Sequence, residues 1–221
     1  MTEFIFMLTR NDATVPDALA VYEEIRSTDV RYVGFKDIGL PVEELRVLAR
    51  AIQDDGREVM LEVVSENAAD ELRSIRAAID IGVDWVLGGT NPKPALELLP
   101  AGGPKYCPFP GRVIGHPSLL RGSIEEIAES ARALTAMPGV HGLDLLAYRH
   151  DGDVPALVAA VVAASSGPVI AAGSVDSLER IATLDRLGVW GFTIGGAIFD
   201  DRFPGAPSRR GQIEAVLRAI G

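Results

Sequence analysis

Short runs rich in β-branched and aromatic residues alternate along the chain with longer segments whose apolar residues recur at helical spacing. The strand-like runs fall at residues 4–8, 32–36, 59–64, 85–88, 105–109, 142–146, 169–172 and 191–194. After the second run, Leu45, Leu48, Ala49 and Ile52 stand at i, i+3, i+4 and i+7, which makes one apolar helix face to lie on a sheet. Leu72, Ile75 and Ile79 repeat the device one unit later. Ser123 with Glu126, and Asp176 with Glu179, have capping-box spacing, and Gly56, Gly82 and Gly188 stand where helices should stop. Eight strand-then-helix units share the 221 residues at about 28 residues each, close to the minimum for a right-handed βαβ crossover. An open doubly wound sheet usually needs fewer strands. The pattern therefore predicts an α/β fold, a (β/α)8 TIM barrel, with residues 1–221 as a single domain. The fifth unit is ambiguous: between residues 100 and 122, five prolines accompany two apolar runs, 106–109 and 113–114, and either is short enough to be the strand.

In such a barrel the chemistry sits in the loops that follow the strands. The two last loops carry glycine pairs or glycine-serine: Gly173-Ser174 follows the apolar run VIAA, and Gly195-Gly196 follows GFTI. Backbone N–H groups there meet an anion without a Cβ in the way, and a helix beginning just beyond adds partial positive charge. Loops seven and eight are a frequent phosphate position in this fold, so Gly173, Ser174, Gly195 and Gly196 are the expected phosphate cradle. The plainer alternative is that the glycines only make tight turns.

Strand side chains alternate between the barrel axis and the helices. If Val33 and Phe35 face the helices, Lys36 faces the axis; by the same parity Glu62 points inward between Leu61 and Val63, and Asp144 between Leu143 and Leu145. Burying an unpaired charge costs several kcal/mol, so these three groups must be paired, solvated or functional. A structural Lys36–Glu62 ion pair is one reading. The other is that a lysine beside a carboxylate in a low-dielectric pocket becomes a general acid, a general base or an imine-forming amine. Lys36, Glu62 and Asp144 are thus the expected catalytic residues. Arg10, His116 and Arg149 lie at or beyond strand ends on the same face and are expected to bind substrate, with Tyr148, His150 and Arg121 nearby. His141, at the opposite end of its strand, is expected to be structural.

Composition narrows the class. With 48% hydrophobic and 24% charged residues and 14 dispersed prolines, the chain has material for a core and no disordered tract. Its 21 Lys and Arg against 31 Asp and Glu, net −10, argue against nucleic acid as a partner. The lone Cys107 has no internal disulfide partner, which fits a reducing compartment, and it is expected to be a buried structural thiol. The apolar run at residues 4–8 is too short for a signal peptide or a membrane span, so a cytoplasmic protein with no membrane partner is expected. Three histidines without H-x-H, HExxH or CxxC spacing predict no metal, and the absence of G-x-G-x-x-G at the first strand argues against a dinucleotide. No cofactor is expected, and the sequence leaves homo-oligomerisation open.

The endings PVIAAGSVDSLERI and GVWGFTIGGAIFD resemble the last two units of the ribulose-phosphate-binding barrel superfamily. That group includes the phosphoribosyl isomerases of histidine and tryptophan biosynthesis and the hexosamine-phosphate epimerases. The resemblance covers about the last sixty residues strongly and the earlier chain through its βα rhythm alone. It implies binding of a phosphorylated small metabolite at the four glycine-loop residues, and it implies no particular reaction. The chain departs from the histidine-biosynthesis isomerases, which carry aspartates at the ends of the first and fifth strands, where Thr9-Arg10 and Cys107-Pro108 stand here. LEVVSEN replaces the D-x-K-x-x-D run of the decarboxylase and hexulose-phosphate synthase branch. The expectation is a cofactor-independent enzyme that isomerises or epimerises a phosphorylated sugar by proton transfer. A Schiff-base lyase or synthase using Lys36 and a noncatalytic phosphometabolite-binding barrel are the alternatives.

Overall fold

Eight parallel strands form the centre of the structure, a computed structural model that describes residues 2–65 and 67–221. They are β1 (Glu3–Met7), β2 (Tyr32–Lys36), β3 (Glu58–Val63), β4 (Trp85–Gly88), β5 (Lys105–Cys107), β6 (Leu143–Leu145), β7 (Val169–Ala171) and β8 (Gly191–Ile194). Hydrogen-bonded neighbours run in the order β6-β7-β8-β1-β2-β3-β4-β5. The ring closes between β5 and β6: His141 N donates to Tyr106 O at 2.8 Å and Asp144 N to Pro108 O at 3.1 Å. The chain is therefore the (β/α)8 TIM barrel that its eightfold pattern predicts. Lys105–Cys107 settles the ambiguous fifth unit, because Arg112–Ile114 instead pairs antiparallel with Leu119–Arg121 in a hairpin above the barrel.

The helices are α1 (Ala18–Ile25), α2 (Val42–Asp54), α3 (Ala68–Ile81), α4 (Pro92–Leu98), α5 (Ile124–Thr135), α6 (Val154–Ala164), α7 (Leu178–Arg186), α8 (Gly196–Phe199) and α9 (Arg209–Ile220). None of the described helices is long and apolar enough to cross a membrane. Leu45, Leu48, Ala49 and Ile52 are all buried on α2 as the spacing predicts. On α3 the buried face is turned from the expected one, to Glu71, Ile75, Ala78 and Ile81, with Leu72 and Ile79 only partly covered. Glu71 explains the turn: its buried carboxylate accepts from Thr90 N, Asn91 N and Asn91 Nδ2 at 2.8–2.9 Å, satisfying the exposed donors where α4 begins. Ser123 and Glu126 form the expected capping box. Asp176 does not cap α7. The loop after β7 runs one residue further, and Ser177 Oγ accepts from Arg180 N at 3.3 Å, while Asp176 forms an ion pair with Arg180 at 2.9 Å.

Side-chain parity divides the core in two. Val33, Phe35, Leu61, Val63, Leu143 and Leu145 pack outward against the helices, whereas Ile5, Met7, Met60, Leu87, Cys107 and Ile170 fill the barrel. At the N-terminal end of the strands, Trp85 and Trp190 stack at 5.1 Å and Tyr32 lies edge-on to Trp190 at 5.3 Å. This aromatic layer plugs the bottom and leaves the top for polar groups.

Candidate functional site

Lys36 ends β2 and Glu62 lies on β3, and the parallel register sets the two Cα positions side by side. Both side chains point inward, 5% and 4% exposed, with Lys36 Nζ 3.5 Å from Glu62 Oε1. A third group completes the cluster. Beyond β1 the chain forms a hairpin, Thr9–Arg10 with Ala13–Thr14, whose two turn residues Asn11 and Asp12 have φ of 52° and 63°. That is the backbone of a type I′ turn, and Asn and Asp tolerate it better than other side chains. Thr14 fastens the hairpin beside β2: its hydroxyl donates to Lys36 O at 2.8 Å and accepts from Lys36 N at 2.9 Å. The turn thereby delivers Asp12 Oδ1 to 2.5 Å from Lys36 Nζ.

Asp12 is the hub of the site. Arg149, from the single helical turn Ala147–Arg149 after β6, donates to both its oxygens, Nη2 to Oδ1 at 2.8 Å and Nη1 to Oδ2 at 3.2 Å. Burial pushes the Asp12 carboxyl up, but the hydrogen bonds and charges of Arg149 and Lys36 overcome it and hold the group well below the usual carboxylate range. Burial likewise works against the Lys36 ammonium, and the charges of Glu62 and Asp12 more than reverse it, so its pKa is raised and Lys36 is a cation. Asp144 behaves in the opposite way. It is fully buried, neither oxygen has a hydrogen-bond partner among the described residues, and it does not line the pocket described below. Burial first and the Glu62 charge second raise its pKa well above the carboxylate range, favouring the neutral acid.

Asp12, Lys36, Glu62 and Arg149 line a pocket of about 580 Å³ at the C-terminal mouth of the barrel, and the loops after β7 and β8 line it too. Gly173 and Ser174 have φ of 75° and 58°, and Gly195 caps the one-turn helix α8, whose first residue is Gly196. Among the described residues, no hydrogen bond takes up the N–H of any of the four. A helix N-terminus backs the β8 loop alone, since α7 begins four residues after Ser174. The glycines differ in what they make room for. A Cβ on Gly195 would stand 2.4 Å from Thr9 Oγ1 and 2.7 Å from Thr9 O, one on Gly173 would stand 2.8 Å from Arg149 Nε, and one on Gly196 would meet no atom within 4 Å.

The remaining sequence candidates are divided. Arg10 lines the pocket mouth but is engaged with Asp200 at 2.7 Å. Arg149 lines the pocket too, turned onto Asp12 instead of standing free for a ligand. His116 sits at the tip of the hairpin above the barrel, with Nδ1 3.7 Å from Asp12 Oδ2, and its neighbour Pro117 reaches the pocket. Arg121 pairs with Asp151, His150 meets Gly122 O, and Tyr148 lies under Arg180; none of the three lines the pocket. His141 accepts from Tyr106 N at 3.1 Å at the other end of the barrel. Among the described residues, no group of three His, Cys, Asp or Glu side chains is arranged to hold a metal ion.

No family model matches the chain, and no curated protein matches it by sequence. Solved structures match its fold. Orotidine 5'-phosphate decarboxylase from Pyrococcus horikoshii superposes with a TM-score of 0.68 at 15% identity, covering 98% of each chain. Tryptophan synthase from M. tuberculosis, in its aminoacrylate-bound form, gives 0.69 at 16% identity over 100% of this chain and 94% of that one. N-acetylmannosamine-6-phosphate 2-epimerase from Clostridium perfringens gives 0.62 at 13% identity over 99% and 93%. The likeness is one of fold, and it runs along almost the whole chain.

Proposed function

We propose that the protein is an enzyme that isomerises or epimerises a phosphorylated sugar or similar small metabolite by moving a proton at a carbon beside a carbonyl. The observation that carries this reading is the placement of Lys36 between Asp12 and Glu62 in the same pocket that the four uncommitted N–H groups of the β7 and β8 loops line. A phosphate on Gly173, Ser174, Gly195 and Gly196 would orient the sugar with its reacting carbons toward that cluster. Glu62 takes the proton: the C–H bond breaks, an O–H bond forms on the carboxylate, and the electron pair moves to the carbonyl oxygen. The Lys36 ammonium stabilises the resulting enediolate, and the proton returns to the other face or the neighbouring carbon. A cation is suited to this task and unsuited to imine formation, which needs the neutral amine. Asp144, fully buried below the cluster and without a hydrogen-bond partner among the described residues, is given no step in this reaction. Fold neighbours named for phosphorylated substrates support the phosphate part of the reading.

The test is deuterium uptake from D2O into a panel of sugar phosphates, followed by proton NMR. Exchange at the carbon beside the carbonyl, abolished in Glu62→Gln and Lys36→Met, is the expected result. A borohydride-trapped adduct on Lys36 would replace this mechanism with the Schiff-base one, and tight binding without exchange or turnover of any member would replace it with a noncatalytic binding role.

A further inference from the structure

Every cationic side chain in the pocket already has a carboxylate. Lys36 is held by Asp12 and Glu62, and Arg149 by both oxygens of Asp12. At the mouth Arg10 is bound to Asp200 at 2.7 Å, and Arg202 stands 3.8 Å from Asp176, a carboxylate it shares with Arg180 outside the pocket. Four cations thus face four carboxylates, and the donors without an acidic counterpart are neutral ones, the backbone N–H groups after β7 and β8 and the side chains of Thr9, Asn11, Ser174 and Thr193. That set has a place for one phosphate and none for a second anion. A second phosphate or a carboxylate arriving at the inner end would have to take Lys36 from Glu62, whose one cation it is among the described residues, leaving a carboxylate that is almost wholly buried without a partner. A hydroxyl or carbonyl has no such conflict, since it donates to Glu62 or accepts from Lys36 while the ion pairs stay intact.

We infer that the ligand carries a single phosphate on an otherwise uncharged, hydroxylated body, and that Asp12 and Glu62 exclude bisphosphates and phosphorylated acids by already holding Lys36 and Arg149. This rests on the phosphate reading of the β7 and β8 loops. It makes the carboxylates determinants of specificity as well as partners of Lys36.

The experiment is calorimetric titration of the full chain with matched ligands: D-fructose 6-phosphate against D-fructose 1,6-bisphosphate, D-ribulose 5-phosphate against its 1,5-bisphosphate, and D-glucose 6-phosphate against 6-phosphogluconate, each with its unphosphorylated sugar and with inorganic phosphate as competitor. The doubly anionic member of each pair is expected to bind at least about tenfold more weakly than the monophosphate. Glu62→Gln, which keeps the side-chain volume and removes the charge, is expected to close most of that gap. Asp200→Asn, on the exposed mouth where folding is not at stake, releases Arg10 and is expected to improve binding of the same ligands. Equal or tighter binding of the doubly anionic members, or a gap that neither variant narrows, overturns the inference and leaves the phosphate reading standing. If phosphorylated ligands bind no better than their parent sugars and inorganic phosphate does not compete, both fall together.

Discussion

Removing Lys36 should destabilise the protein far more than removing its partner. In Lys36→Met the Glu62 carboxylate, 4% exposed, loses its ion-pair partner, while Asp12 keeps Arg149 at 2.8 Å. Leaving one member of a buried pair uncompensated costs about 3–5 kcal/mol. In Glu62→Gln, by contrast, Lys36 keeps Asp12 at 2.5 Å and no charge is orphaned, so the cost is about 1 kcal/mol. The double variant removes the lysine but leaves no bare carboxylate at position 62, and should recover about 2–3 kcal/mol relative to Lys36→Met. The order of stability is then wild type, Glu62→Gln, the double variant and Lys36→Met, the last melting about 10 °C below wild type for a chain of this length. Urea unfolding of the four proteins, followed by circular dichroism, measures the cycle directly. Additive losses, with the double variant the least stable of the four, would refute the argument that Lys36 neutralises Glu62.

Gly196→Ala should stabilise the fold by about 0.4–1 kcal/mol, because its methyl enters open space, while weakening phosphorylated ligands in the same titration. Gly195→Ala, whose methyl would collide with Thr9, should cost about 1–3 kcal/mol by urea unfolding. The raised pKa of Asp144 means that the folded protein holds this proton more tightly than the unfolded chain, so its contribution to stability falls as pH climbs from about 4 toward the folded pKa. Asp144→Asn should therefore be more stable than wild type at pH 8, with the advantage vanishing near pH 4; an advantage independent of pH would contradict a titrating Asp144. Burial, reinforced by Asp144, pushes the Cys107 thiol far up, and the side chain is fully enclosed. Ellman's reagent should label it at the rate of unfolding, and labelling within seconds under native conditions would be inconsistent with that environment.

The strands, the barrel and the inward turn of Lys36, Glu62 and Asp144 were legible because period-2 alternation is enforced by the two hydrophobic layers on either side of each strand. The hub of the site was not. Asp12 lies in no strand and no helix-period segment, and its position depends on a two-residue turn that pairs Thr9 with Thr14. The dipeptide Asn11-Asp12 between two short β-prone pairs was the available signal, since both residues tolerate left-handed backbone. The sequence puts Arg149 on the ligand face but does not show the carboxylate it holds, because that partner comes from 137 residues away. The charge of a loop arginine is visible in sequence, whereas the carboxylate that consumes it depends on tertiary folding. Capping at Asp176 failed for a more local reason, as Ser177 is an equally good cap one residue on.

The aromatic layer at the base of the barrel has a spectroscopic consequence. Both tryptophans of the chain, Trp85 and Trp190, belong to it, one inside β4 and the other immediately before β8. These segments lie on opposite sides of the ring and touch only because the barrel is shut. Intrinsic fluorescence therefore originates at one place, at the far end of the molecule from the pocket. The emission should be quiet while ligands come and go at the mouth, and should change when the two halves of the barrel part, giving an optical record of closure without any introduced dye.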